Sequence, residues 1–235
     1  MDVVDSELAI DIAAYYALEA FVIARYEMFK AVYFHRSVRA GEVMMIEAMN
    51  YADEELGITS FRSPEDFLAL DDYSLLNKLL SLDEGVHKEL QLAKQLAKNF
   101  VERRLYKCAY ELIVHHRNDF FTSILSRKEL REQIKQDIAS RASVDPELVV
   151  IDVPTVPSVP HYPTKEKPQE IPVFRKRRDG AIEKFNLSEI SRLVDALVGY
   201  IDVIRVYTVE KYRDTVSIAA EKVFGQKPVS TRISF

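Results

Sequence analysis

The distribution of proline sets the tightest limit on how this chain can fold. Six of its nine prolines, Pro154, Pro157, Pro160, Pro163, Pro168 and Pro172, crowd into the stretch from 154 to 172. Proline fixes φ and removes a backbone donor, so neither a helix nor a central strand can run through that spacing. The stretch reads as an extended crossing. From Ile10 to Tyr51, by contrast, there is no proline, and Gly41 is the one glycine. Leu18, Phe21, Val22, Arg25, Phe29, Val32 and Tyr33 recur there at three- and four-residue steps, the period of a helix face. The run is long for one helix, so a kink or break is expected near Val38–Gly41.

Local capping chemistry extends the helical reading toward Ala142. Ser63-Pro64-Glu65-Asp66 is a helix start, expected to run on through Asp71–Leu80. Ser81 with Glu84 resembles a capping box that opens a short helix, and Leu92, Leu96, Phe100 and Val101 continue an apolar stripe. Ser126 with Glu129 suggests another box before Leu130, Ile134 and Ile138. After Ala142 the pattern changes. Leu148–Val153 is β-branched and apolar, as a strand requires. Ile171–Lys176 and Ala181–Phe185 flank Asp179-Gly180, a hairpin signal. Leu187, Ile190, Leu193, Val194 and Leu197 make a helical stripe beginning near Ser188. Val203–Val209 reads as a strand, and Lys211–Phe224 as a helix stopped by Gly225. The expected fold class is α+β: a mainly α-helical region over 1–142, then a small βββαβα unit over 143–235 that contains the 154–172 crossing.

Composition narrows the function classes. With 48% hydrophobic and 29% charged residues in 235, the chain has an ordinary globular balance and enough material for a core. A net charge of -5 disfavours nucleic acid and anionic membrane as partners. Cys108 is the only cysteine, so no internal disulfide forms and a reducing compartment is expected. No run of about 18 uncharged apolar residues is present, so no membrane span is expected. The acidic start MDVVDSELAID argues against a targeting peptide. These features together point to a cytoplasmic location. Six glycines, with no GxGxxG and no GxxxxGK[ST], nearly exclude a glycine-rich phosphate loop.

Few residues carry recognisable chemistry. His115 and His116 are adjacent and project about 100° apart on a helix, too far to share a metal readily. His87 and His161 have no HxxxH, HExxH or His-Asp spacing. Cys108 reads as a small buried hydrophobe. Asp53-Glu54-Glu55 and Asp71-Asp72 fit helix ends better than acid–base or Mg²⁺ chemistry. Arg175–Arg178 could grip phosphate or RNA, yet it lacks interleaved aromatics and reads better as a solvated hairpin tip. Leu18–Arg36 is less ordinary. Arg25, Tyr33 and Arg36, with His35 beside them, would suit an anionic, flat ligand such as a nucleotide. Long polar side chains snorkelling over a core edge would explain them equally well.

The residues of that segment are Glu19, Phe21, Ala24-Arg25-Tyr26, Met28-Phe29, Val32-Tyr33-Phe34-His35-Arg36 and Arg39. In this order they resemble the helix that follows the catalytic core in HD-domain phosphohydrolases of the dNTP triphosphohydrolase type, prokaryotic relatives of the vertebrate SAM- and HD-domain dNTPase. Arg103-Arg104-Leu105-Tyr106-Lys107 is similar to that family's Arg-x-Leu-Phe-Lys, and Ile204-Arg205-Val206-Tyr207 to its Ile-Arg-Val-Tyr. The resemblance covers most of the chain, in order.

What the resemblance implies is specific. Arg25 would contact the triphosphate and Tyr33 the sugar of a substrate nucleotide. His35, Arg36, Arg103 and Lys107 would bind a regulatory nucleotide or line a subunit interface. The helical region would be the back half of an HD-type domain, which works with a divalent metal such as Mg²⁺ or Mn²⁺. The family's metal ligands, a His, a His-Asp pair and a distal Asp, precede the segment that begins at Leu18, and His-Asp occurs nowhere in this chain. The chain alone is therefore expected to hold no catalytic residue and no metal. It would act with a partner HD half or with itself as a homo-oligomer. The alternative is a non-catalytic protein that binds nucleotide or a partner.

Overall fold

The structure is a computed structural model and describes residues 1–83, 85, 87–114, 127–153, 172–197 and 202–227. The chain opens with two short strands, β1 (Asp2–Val4) and β2 (Glu7–Asp11), paired antiparallel with Val3 opposite Leu8. Asp5 and Ser6 both take positive φ, 51° and 67°, as a two-residue hairpin turn of right-handed twist requires. The Asp11 side chain caps the turn into α1 (Tyr15–Met28). A π-helical turn, Phe29–Tyr33, continues α1 and ends where the Phe34 N–H donates to the Phe29 carbonyl at 2.8 Å.

His35 then turns extended, and its ring accepts from the Ser37 N–H at the start of α2 (Arg36–Leu56). The break expected near Val38–Gly41 therefore falls at Phe34–His35, where a side chain exists to cap a new helix. Gly41 lies inside α2 for a packing reason. A Cβ there would sit 3.2 Å from Phe100 Cε2.

Ser63 starts α3 (Pro64–Leu68) as expected, and with Asp66 it forms a capping box. That helix does not run on through Leu80. Asp71 and Ser74 make a box of their own and start α4 (Asp72–Leu80) afresh. Helix α5 (Lys88–Val101) begins after His87 rather than at Ser81; Glu84 and Val86 lie outside the described residues.

The largest departure is β3 (Lys107–Val114), a strand within the stretch that reads as helical in sequence. Helix α6 (Lys128–Ala142) follows as expected, with Arg127 at its N-cap; Ser126 is outside the described residues. Strand β4 (Val150–Asp152) comes next. The crossing at 154–171 lies outside the described residues. Strands β5 (Pro172–Lys176) and β6 (Ile182–Asn186) pair antiparallel across the Asp179-Gly180 turn. The following stripe is two short helices, α7 (Leu187–Ile190) and α8 (Arg192–Leu197), split at Ser191, whose hydroxyl accepts from the Val194 N–H. Strand β7 (Asp202–Thr208) and helix α9 (Arg213–Phe224) complete the order, and Gly225 at φ 67° stops α9.

The fold is α+β, and among the described residues its second part runs βββααβα, the expected order with its first helix split in two. Its strands do not share one sheet. One sheet runs β1-β2-β5-β6 and the other β3-β7-β4. The first of these joins strands from opposite ends of the chain. Contacts divide the chain into two compact units. Among the described residues, the first holds Met1–Phe34 with β5, β6, α7 and α8. The second holds His35–Leu112, α6, β4 and the chain from Ile204 onward, so Ala142 ends α6 inside it.

The first unit buries Val22, Val173, Leu187 and Val194, with Tyr15, Leu18 and Phe185 packed around them. The second packs α2 on α5 through Ala40, Ala48, Ala52, Ala93 and Ala97, small residues that let the two backbones approach. Met44, Leu79 and Tyr207 fill that core, each large apolar side chain contributing about 1.5–3 kcal/mol. Among the described residues, no helix is long and apolar enough to cross a membrane.

Candidate functional site

In the first unit, α1 uses Tyr15, Leu18 and Val22 against the core. Its opposite face is apolar as well. Ala17, Ala20, Phe21, Ala24, Met28, Ala31 and Val32 follow one another at helical steps and are all exposed, with Glu27 the one charge among them. A helix apolar on both sides is normally buried on both. At the margin of this face lies a ladder. The Arg25 guanidinium carbon stands 4.7 Å from the Phe29 ring centre, and the Phe29 and Tyr33 rings are 4.8 Å apart. Arg25 Nε is buried without a hydrogen-bond partner, while Tyr33 is 47% exposed. The structure thus brings together the two residues expected to face substrate, through an aromatic spacer. A buried guanidinium donor without an acceptor is costly unless a ligand supplies one.

The second unit holds the other four candidates. His35 caps α2 and is exposed. Arg36 donates to Glu111 from two nitrogens, Nη2 to Oε1 at 2.9 Å and Nε to Oε2 at 3.1 Å. Arg205 donates to the same carboxylate, Nε to Oε2 at 2.6 Å. The Glu111 side chain is 8% exposed and that of Arg205 7%. Burial works to raise the Glu111 pKa, but the hydrogen bonds from Arg36 and Arg205 outweigh it and hold the carboxyl below its ordinary range. One turn along α2, Arg39 forks onto Asp152, Nε to Oδ2 at 3.0 Å and Nη2 to Oδ1 at 2.5 Å, and also meets Glu42. The Tyr207 hydroxyl donates to the Arg36 carbonyl at 3.1 Å. Cys108, expected to be buried, is half-buried, and its desolvation pushes the thiol up to about 11, which leaves it a poor nucleophile.

Lys107 lies four residues before Glu111 on β3, and its Nζ is 3.5 Å from Glu210. Arg103 follows α5 at φ 57°, a conformation that suits glycine. No described side-chain contact joins it to Arg36. Glu111 and Asp152 lie in no motif, and Arg205 lies in one, Ile204–Tyr207, that marked no site residue. Each is a lone charge in an apolar strand, in AYELIV, VIRVY and VVIDV. That signal is present in the sequence, because such a charge demands a partner.

Several of the remaining candidates make local structural contacts. Asp53 accepts from the Thr59 N–H and hydroxyl, and Asp71 caps α4. In the basic run, Arg175 and Arg177 meet Glu183, and Lys176 meets Asp2 at 3.0 Å. Among the described residues, no three His, Cys, Asp or Glu side chains are grouped to hold a metal ion. His115, His116 and His161 lie outside them. The described residues therefore do not fit a hydrolytic metal.

The family described as HD associated region matches residues 1–234. The chain belongs to that family. This relates it to the HD superfamily. The chain is also 32% identical over 113 residues to a deoxynucleoside triphosphate triphosphohydrolase SAMHD1 homolog from Dictyostelium discoideum, a match over 48% of this chain and 21% of that protein. The protein YwfO of Bacillus subtilis (strain 168) is 22% identical over 208 residues, 83% of this chain and 45% of that one. The chain therefore spans less than half the length of these relatives. Among solved structures, a hypothetical protein from Aquifex aeolicus matches with TM-score 0.58 and 18% identity, over 92% of this chain and 48% of that one. A phosphohydrolase, BT4208 from Bacteroides thetaiotaomicron VPI-5482, matches with TM-score 0.53 and 19% identity, over 88% and 53%. At these identities the two structures speak for the fold alone.

Proposed function

We propose that this HD associated region supplies the substrate-side wall, and a nucleotide-responsive assembly surface, of a metal-dependent HD-type phosphohydrolase acting on (deoxy)nucleoside triphosphates. The observation that carries this reading is the Arg25–Phe29–Tyr33 ladder at the edge of the exposed apolar face of α1. The apolar face calls for a covering partner, an HD half or a second copy. A ligand held at its edge would meet a guanidinium, an aromatic ring and a phenol side by side. Arg25 would give a phosphate the acceptor-seeking Nε, and Tyr33 would hydrogen-bond the sugar. His35, Arg36, Arg103 and Lys107 would take a second, regulatory nucleotide or line an interface. The divalent metal, Mg²⁺ or Mn²⁺, would be held by HD residues outside this chain and would supply the activated water.

The name of the Dictyostelium relative supports the reaction class. To test it, dNTP binding is measured by calorimetry, followed by turnover with an HD-containing polypeptide and Mn²⁺. Arg25→Ala should weaken binding about 10- to 100-fold, the worth of a charged hydrogen bond. Phe21→Glu should block association with the HD polypeptide and leave the chain folded. Turnover by the chain alone, or Arg25→Ala binding like the wild type, would refute the assignment. Binding that never becomes turnover in any mixture would favour a non-catalytic nucleotide-binding protein.

A further inference from the structure

Two arginines on successive turns of α2 each fork onto a buried carboxylate, but their situations differ. Asp152 is 4% exposed and, among the described residues, Arg39 is the basic side chain that holds it. Withdrawing Arg39 would strand a buried charge. Glu111 is held twice. If Arg36 leaves, Arg205 still contacts Oε2 at 2.6 Å. Arg36 is also the more exposed of the two Glu111 partners, 27% against 7%. It opens α2 beside the exposed His35, at the helix end that favours anions. Arg205 Nη1 is buried with no acceptor, so the interior is short of negative charge density around this group.

We propose that Glu111 is an internal competitor for Arg36. It holds the Arg36 guanidinium when no oxyanion is bound and yields it to a phosphate group, while Arg205 keeps Glu111 ion-paired in both states. This rests on the reading that a nucleotide phosphate binds at His35, Arg36, Arg103 and Lys107. It adds the regulation of that site: a carboxylate sets the threshold phosphate must exceed, and releasing it costs little because a second arginine stays behind. Glu111 and Arg205 are positioning residues here and touch no ligand. Both carry opposite, testable effects. Removing the competitor should tighten binding. Removing the residue that makes release cheap should weaken it.

The test is calorimetric titration of the whole chain with inorganic tripolyphosphate at constant ionic strength, with circular dichroism to check folding. Glu111→Gln should bind roughly tenfold tighter than wild type, and Arg205→Met roughly tenfold weaker, the scale of one charge-assisted contact. Arg205→Lys, which restores a cation beside Glu111, should recover binding to within about twofold of wild type. Arg36→Met should abolish binding. Glu111→Gln leaves the buried Arg205 cation without a carboxylate and could fail to fold. Arg205→Met leaves a one-to-one Arg36–Glu111 pair, and with its lysine rescue decides the matter alone. If Arg36→Met loses binding while Arg205→Met and folded Glu111→Gln match wild type, or both weaken alike, the competitor role is overturned and the nucleotide site stands. If the wild-type chain itself does not bind, the nucleotide reading falls and takes this proposal with it.

Discussion

Replacing Arg39 by methionine tests whether the buried charges hold the second unit together. Methionine keeps the apolar stem of arginine and removes its charge and fork. What is lost is the two-point contact to Asp152, at 3.0 and 2.5 Å, which ties α2 to β4 across 113 positions of sequence. An exposed ion pair is worth about 0–1 kcal/mol. Breaking a buried one from one side costs about 3–5 kcal/mol, because the remaining carboxylate has neither water nor a partner. The contact to Glu42 lies at the exposed end and adds little. Arg39 is itself 18% exposed, so water can partly replace it and the loss should lie near 3 kcal/mol, at the lower end of that range. With a urea slope of about 2 kcal/mol/M, the midpoint would fall by roughly 1.5 M. Far-ultraviolet circular dichroism reports the helices; with no tryptophan and 12 tyrosines, tyrosine emission reports the packing. The double variant Arg39→Met with Asp152→Val removes both charges and should return to within about 1 kcal/mol of wild type, or exceed it. A single variant that loses under about 1 kcal/mol, or a double variant no better than the single, would refute the reasoning.

Three further outcomes follow from particular positions. Gly41→Leu should destabilise the chain by about 1–3 kcal/mol, since a Cβ already meets Phe100 at 3.2 Å, and a wild-type urea midpoint would contradict the close approach of α2 and α5. Arg103→Gly should raise stability by about 0.5–1 kcal/mol, because its φ of 57° suits glycine, while weakening nucleotide binding; a variant changed in neither respect would remove Arg103 from the proposed site. The Glu111 carboxyl is lowered in the folded chain from an ordinary value of 4.5. The unfolded chain therefore takes up this proton first. The stabilisation is fully present above the ordinary value and is lost as pH falls through it toward the lowered one. The urea midpoint should drop on acidification below about pH 4.5, and drop less in Glu111→Gln; equal slopes for the two proteins would count against the buried triad.

Features set by neighbours along the chain are legible in the sequence. The helix start at Ser63–Asp66, the Asp179-Gly180 turn and the stop at Gly225 each depend on a side chain or φ value within four residues. The break at His35 is harder to place, because Gly41 is the more obvious breaker and an imidazole supplies the cap instead. The first hairpin is hidden because Asp5-Ser6, with no glycine, occupies its two positive-φ positions. The β3 segment KCAYELIV has apolar residues that suit either helix or strand. Its place beside β7 in the sheet decides between them.

For the site, the segment Leu18–Arg36 marks Arg25 and Tyr33 through residue type and spacing, and the fold joins them through Phe29. The sequence by itself determined where helices such as α3, α6 and α9 begin, where the glycine turns fall, and that single charges sit in apolar strands. It did not determine which charges meet. Arg36 finds Glu111 across 75 positions, Arg205 finds it across 94, and β2 pairs with β5 across the whole intervening chain. Tertiary structure alone decided these partners, because a buried charge is satisfied by whatever the packed elements bring within hydrogen-bond distance, and no local preference encodes that choice.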